Sequence, residues 1–210
     1  MASACLTLYE TTFELAWFER ARELGDEMTR LFADRASGGF FQTGSDAEAL
    51  LVRPRELYDN ATPSGNSTAA DVLLRLAAFT GNAEHERDAI SALRLVVDGL
   101  GRAPGAFGHA LCALDRLIGP HREVAIVGDP GAADTRSLVN EAIVRRFRPN
   151  LVLAVTSPGD DRASLTVPLL ANRSAIDGAA TAFVCEGFAC RLPVTTPGAL
   201  AEQLEDAFAG

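Results

Sequence analysis

Over the first 120 residues, apolar positions recur at steps of three and four. Leu6, Tyr9 and Phe13 share one helical face. After a break at 14–16, Trp17, Ala21, Leu24, Met28 and Leu31 mark an amphipathic helix. Residues 34–39 have turn chemistry, and Phe40-Phe41 begin a short strand or an extended segment. The connection that follows runs to Asn60, which is long for a compact domain, and long ordered connections are often functional. Three more helices are expected, over 64–80, 83–100 and 104–118. They stop at Gly81, after Leu100, and at Gly119-Pro120. Short links between them favour antiparallel neighbours.

From Glu123 the periodicity changes. Residues 123–127 and 151–156 read as short apolar strands with a helix at 134–147 between them, a βαβ unit with a parallel strand pair. Residues 157–161 form a turn, and 165–176 fit neither period. Residues 180–185 and 189–192 look like a hairpin, and 197–208 a closing helix. The expected class is mixed. An all-α region over 1–120 precedes a small α/β unit (β-α-β, then β-β-α) over 121–210.

Composition narrows the partners. The formal net charge is −9, and every basic residue is an arginine. An acidic chain without a basic stripe argues against nucleic acid or an anionic membrane as the main partner. No apolar run reaches the roughly eighteen residues of a membrane span. The N-terminus lacks a charged n-region, and Glu10 interrupts its apolar run, so a cytoplasmic location is expected. In that compartment Cys5, Cys112, Cys185 and Cys190 read as free thiols, not a disulfide framework.

The stretch 59–67, Asp-Asn-Ala-Thr-Pro-Ser-Gly-Asn-Ser, concentrates turn and capping residues ahead of an apolar helix. Pro63, Ser64 and Asn66 suit a helix start, whose outward N–H groups suit an oxygen-rich ligand. The plainer reading is an ordinary capped helix. Arg53 and Arg55 could clamp an anionic or hydroxyl-rich ligand, or pair at the surface with Glu56 or Asp59. Cys185 and Cys190 read as buried structural thiols; a redox pair would need their sulfurs within bonding geometry. Zinc would require further ligands, but Cys5, Cys112 and the three histidines are distant in sequence. Gly128-Asp129-Pro130-Gly131 lacks dinucleotide-fingerprint spacing, and His109 has packing as its default role. No cofactor or metal is expected.

Several stretches together carry a resemblance. They are Leu8 through Phe13, Gly38-Gly39-Phe40-Phe41, Val52-Arg53-Pro54-Arg55, Asp59 through Ser67, Leu73-Leu74-Arg75-Leu76, Gly119-Pro120, and Ala180 through Cys185 with Cys190 and Pro193. In order and spacing the sequence resembles the C-terminal part of the YyaL-like thioredoxin-domain-containing proteins, a family related to the spermatogenesis-associated thioredoxin-like protein of animals. The resemblance implies an N-terminal thioredoxin-like domain followed by an (α/α) toroid of the six-hairpin glycosidase or sugar-epimerase type. This sequence has no Cys-x-x-Cys and no room for the thioredoxin domain or the first hairpins. It departs from the family at Asn60, where glycine is expected, and at Thr62, where a larger apolar residue is expected.

On that resemblance, residues 1–120 are a partial toroid, and the chain is a truncated or split product. An opened toroid exposes apolar faces, so self-association or a partner chain supplying the missing domain and hairpins is expected. Glycoside chemistry needs paired carboxylates. Glu10 and Asp59 are the first candidates, followed by Asp46 and Glu48. Plainer roles are a helix-end charge for Glu10 and a loop cap for Asp59. Arg53, Asn60, Ser64, Asn66 and Ser67 form the expected ligand set for a polar or sugar-like molecule. The competing expectation is a non-catalytic binding or scaffold module working with a thioredoxin domain in thiol redox chemistry through Cys185 or Cys190. A remnant without function is the third.

Overall fold

Phe13 divides the first helical stretch. Its φ of 59° leaves the helical region and separates α1 (Ala2–Thr12) from α2 (Leu15–Phe32). The computed structural model describes residues 1–48 and 51–205. The chain falls into two units. The first comprises Met1–Thr7, Ala16–Ala77 and Asn82–Gly119; the second comprises Leu8–Leu15, Ala78–Gly81 and everything from Pro120 onward.

In the first unit, α3 (Gly65–Thr80) supplies much of the core. Val72, Leu73, Leu74 and Leu76 along its length are all buried, the pattern of a helix enclosed on most sides. Each such leucine removed from water contributes about 2 kcal/mol. Leu73 and Leu74 share one cluster with Phe40, Leu93, Val96 and Phe107. Among the polar residues α3 also buries, Asp71 accepts a 3.1 Å bond from Nε of Arg116 on α6 (Gly108–Ile118).

Two expected helices are interrupted. The 83–100 segment becomes α4 (Ala83–Arg94), whose first turn is capped by Asn82, and α5 (Val97–Leu100). Between them Leu95 and Val96 donate to carbonyls three residues back, and the β-branched pair Val96-Val97 disfavours continuing the α-helix. The 104–118 segment begins with a 3-10 turn, Pro104–Ala106, and α6 starts only at Gly108. Phe107 stands between them at φ −138° with its ring buried. That ring occupies the space beside Gly99, where a Cβ would lie 2.5 Å from it.

The second unit is built on a mixed sheet. β1 (Arg122–Val127) pairs in parallel with β2 (Leu151–Thr156), with Arg122 opposite Leu151 and Val127 opposite Thr156. The crossover is α7 (Ala133–Val139), which runs on into a π-turn, Asn140–Val144. β3 (Thr181–Glu186) is antiparallel to β1, and β4 (Ala189–Cys190) is antiparallel to β3, giving the order β2-β1-β3-β4. The ambiguous 165–176 segment resolves into the end of α8 (Asp161–Thr166), a 3-10 turn, Pro168–Leu170, and irregular chain.

Alternation on β1 and β3 defines the two faces of the sheet. Val124, Ile126, Ala182 and Val184 join Leu138 of α7 and Leu200 of α9 (Pro197–Glu205) in one core. Glu123, Ala125, Phe183 and Cys185 point the other way, and the 3-10 turn packs against β1 and β2. The expected continuation of α9 to Phe208 lies outside the described residues. Among the described residues no helix is long and apolar enough to cross a membrane.

Candidate functional site

The 59–67 corner is held by hydrogen bonds to its own protein. Ser64 precedes α3 and caps it, its Oγ accepting the N–H of Ser67 at 3.0 Å while the two hydroxyls meet at 2.8 Å. Asn66 Oδ1 accepts the N–H of Phe40 at 2.8 Å, and its Nδ2 donates to the carbonyls of Phe40 and Glu56, each at 2.9 Å. Ser64, Asn66 and Ser67 are all buried. Gly39, at φ 70°, allows this approach, because a Cβ there would sit 2.7 Å from Asn66 Oδ1.

Asp59 Oδ1 accepts the N–H of Ser64 at 2.8 Å, and Oδ2 accepts those of His109 and Ala110 at 2.8 and 3.0 Å. It therefore caps α6 from a distant loop. Phe107, the residue preceding that helix, makes no side-chain cap bond. Burial pushes the Asp59 carboxyl up. The N–H groups of Ser64, Ala110 and His109 and the Ser67 hydroxyl outweigh that and leave it below the usual carboxylate range. At neutral pH Asp59 is an anion, suited to holding a helix end and not to donating a proton.

The remaining candidates are dispersed. Asn60 is exposed, and its N–H is bonded to the Thr62 carbonyl. Arg53 donates to the carbonyls of Leu31 and Thr43, and its guanidinium lies 4.2 Å from the Phe41 ring centre. Arg55 also lies over Phe41 and pairs with Asp34. That partner corrects the expected surface pairing with Glu56 or Asp59: the 34–40 turn brings the Asp34 carboxylate to Arg55. Glu10 lies on α1 in the second unit, whereas Asp59 belongs to the first. Asp46 and Glu48 are exposed. Among the described residues no group of three His, Cys, Asp or Glu side chains could hold a metal ion.

The cysteines require the larger correction. Cys185 and Cys190 are not structural thiols but form a disulfide, leaving Cys5 and Cys112 as the free cysteines. The cause is the hairpin turn. Gly187 and Phe188 both take positive φ, 55° and 64°, forming a two-residue turn that places Cys185 directly opposite Cys190. The Phe188 N–H donates to Glu123 Oε2 at 2.9 Å, and its ring rests by Gly81. Glu123 faces Cys185 across β1 and β3, so Glu123, Cys185 and Cys190 form one row on one face of the sheet.

Over this row lies Arg173. One terminal nitrogen, Nη2, is 3.2 Å from Cys185 Sγ and 3.4 Å from Cys190 Sγ, and the guanidinium packs 5.3 Å from the Phe183 ring centre. Cys185 is fully buried, whereas Cys190 is exposed. Burial pushes the Glu123 carboxyl up, against the pull of the Phe188 N–H and of His121 and Arg173. Burial likewise lowers Arg173 from its ordinary value, with Glu123 opposing. The result is a half-exposed disulfide with a cation against both sulfurs. Arg173 carries no local sequence signal: it comes from the irregular chain after the 3-10 turn and reaches sulfurs 12 and 17 residues away.

No family model matches the chain. Spermatogenesis-associated protein 20 of Homo sapiens is 35% identical over 195 residues, which is 91% of this chain and 25% of that protein. The Mus musculus and Rattus norvegicus proteins of the same name are 32% and 33% identical over 91% of this chain, each covered to 24%. The chain thus spans about a quarter of the length of these relatives. With such identity sustained over nine-tenths of its residues, the chain belongs to the spermatogenesis-associated protein 20 family, of which it represents a C-terminal part.

Proposed function

We propose that this chain is a thiol–disulfide exchange module whose Cys185–Cys190 bond is reduced and re-formed by a protein dithiol. In the thioredoxin-domain-containing proteins that the sequence resembles, such a dithiol is the one a thioredoxin domain would supply. In this reading residues 1–120 are an arc of the helical toroid that the resemblance implies, and residues 121–210 are the α/β unit that carries the exchanging bond. The observation that carries the proposal is the guanidinium of Arg173 against both sulfurs while Cys190 stays open to solvent. A cation beside sulfur lowers thiol pKa, and accessible disulfides exchange more readily than enclosed ones. A sugar-like ligand at the 59–67 corner draws no comparable support, because the polar groups of Ser64, Asn66 and Ser67 are bonded within the protein.

The test is differential alkylation of the folded chain followed by mass spectrometry. Before reductant, Cys5 and Cys112 alone should label under denaturing conditions. After brief dithiothreitol treatment all four cysteines should label, with far-ultraviolet circular dichroism unchanged. A bond that opens only when the chain is unfolded would refute the exchange reading.

A further inference from the structure

We infer that exchange at this bond is polarised: Cys190 is the sulfur attacked, and Cys185 leaves as a thiolate seated against the guanidinium of Arg173. This rests on the exchange reading above and adds its direction and the residue that sets it. Access selects the electrophile, since Cys190 is exposed and Cys185 is fully enclosed. Attack at Cys190 makes Cys185 the leaving group, and charge stabilises it there: Nη2 of Arg173 contacts both sulfurs, Cys190 Sγ at 3.4 Å and Cys185 Sγ slightly closer. The Arg173 nitrogen is 3.2 Å from Cys185 Sγ, and the Phe183 ring backs the guanidinium. The Arg173 Nε is buried with no hydrogen-bond partner in the protein, so Nη2 carries the contact to sulfur. Among the described residues, charged groups near the bond include Glu123 on β1 directly opposite Cys185, His121 acting on Glu123, the Arg122–Glu186 ion pair at 3.0 Å, and Arg191, next to Cys190 in the chain. Arg173 is the cation in contact with both sulfurs, and Glu123 opposes it as counter-charge.

The substrate class is a protein dithiol. Its first thiolate attacks Cys190 Sγ. The Cys185–Cys190 bond breaks, a mixed disulfide forms on Cys190, and the electron pair stays on Cys185 Sγ beside Arg173. The donor's second thiolate then attacks its own sulfur in the mixed disulfide. The donor leaves as a disulfide, and the Cys190 thiolate takes a proton from water. Two electrons pass to the cysteine pair, and no other oxidant or reductant is needed. Reoxidation by a disulfide runs the same path backwards, starting with Cys190 as nucleophile.

Arg173→Met, Arg173→Lys, Cys185→Ser and Cys190→Ser variants of the chain test this. Arg173→Met should slow dithiothreitol reduction about tenfold and raise the pH midpoint of thiolate absorbance in the reduced chain by about 1–3 pH units, with Arg173→Lys restoring most of both. A role confined to packing would leave that midpoint in place. With glutathione disulfide, Cys185→Ser should form the adduct at Cys190 quickly, whereas Cys190→Ser should form it slowly at Cys185. Equal rates in Arg173→Met and wild type, or faster adduct formation at Cys185, would overturn the polarity while leaving exchange intact. Failure of the folded wild type to be reduced at all would overturn both. The two serine variants, with the adduct located by mass spectrometry, keep the test decisive if Arg173→Met does not fold.

Discussion

Asp59 accepts the backbone N–H of His109 at 2.8 Å across 50 residues of chain, placing the loop's carboxylate at the start of α6. Because the same side chain also holds Ser64 and Ala110, its loss frees three donors at two helix ends. Asp59→Ala should destabilise the chain by about 2 kcal/mol, the upper range for a cap, as read from urea midpoints.

That carboxylate also fixes a pH dependence. Its folded pKa lies below the ordinary value, so its contribution is complete above the unfolded aspartate value of about 3.9 and fades as pH falls through the folded one. The N–H groups of Ala180 and Thr135 lower Asp134 in the same sense. Asp59→Asn should therefore be less stable than wild type at pH 7, and the gap should close below about pH 4. Melting temperatures across that range would show it; a gap that stays constant would contradict it.

Glu123 has the opposite sign. Burial raises its folded pKa, so ionisation costs the fold stability above the unfolded glutamate value of about 4.3, and nothing well below it. Glu123→Gln keeps an acceptor for Phe188. It should raise the melting temperature of the oxidised chain at pH 7, and the gain should vanish near pH 4. A loss at neutral pH would mean that the charge on Glu123 stabilises the fold, contrary to this account.

Asn66 ties the turn before Phe40 to the start of α3 through three hydrogen bonds. Asn66→Ala strands the buried N–H and C=O of Phe40 and should cost about 3 kcal/mol. Asn66→Asp keeps an acceptor for the Phe40 N–H but turns a carboxylate toward two carbonyls, so it should not rescue. Urea unfolding of both variants decides the point, and near-wild-type stability of either would argue against the side chain's structural role.

Elements that rest on local periodicity were legible from sequence. α2, α3, β1 and β2 all follow from the spacing of apolar residues and from glycine stops such as Gly81. The break at Leu95 has a local cue, the β-branched pair Val96-Val97, which the apolar spacing across 83–100 masked, whereas at Phe107 the ring packs beside Gly99, a contact no local pattern encodes. At the 59–67 corner the residue types identified a capped helix start but not which helix Asp59 caps. The disulfide could have been read from the hairpin. A two-residue Gly187-Phe188 turn puts residues 185 and 190 opposite each other, but reading 186–188 as the loop hid that register. Arg173 left no sequence signal, since an arginine in irregular chain shows its partner only once the sheet is assembled.

The most direct test of the central claim is a redox titration of the folded chain in thiol–disulfide buffers, scored by the alkylation state of Cys185 and Cys190. An exposed bond flanked by a guanidinium should titrate reversibly as a two-electron couple with a midpoint above about −300 mV, within reach of thioredoxin-type dithiols. A midpoint below that value, where inert structural disulfides lie, or no reversible transition at all, would contradict it.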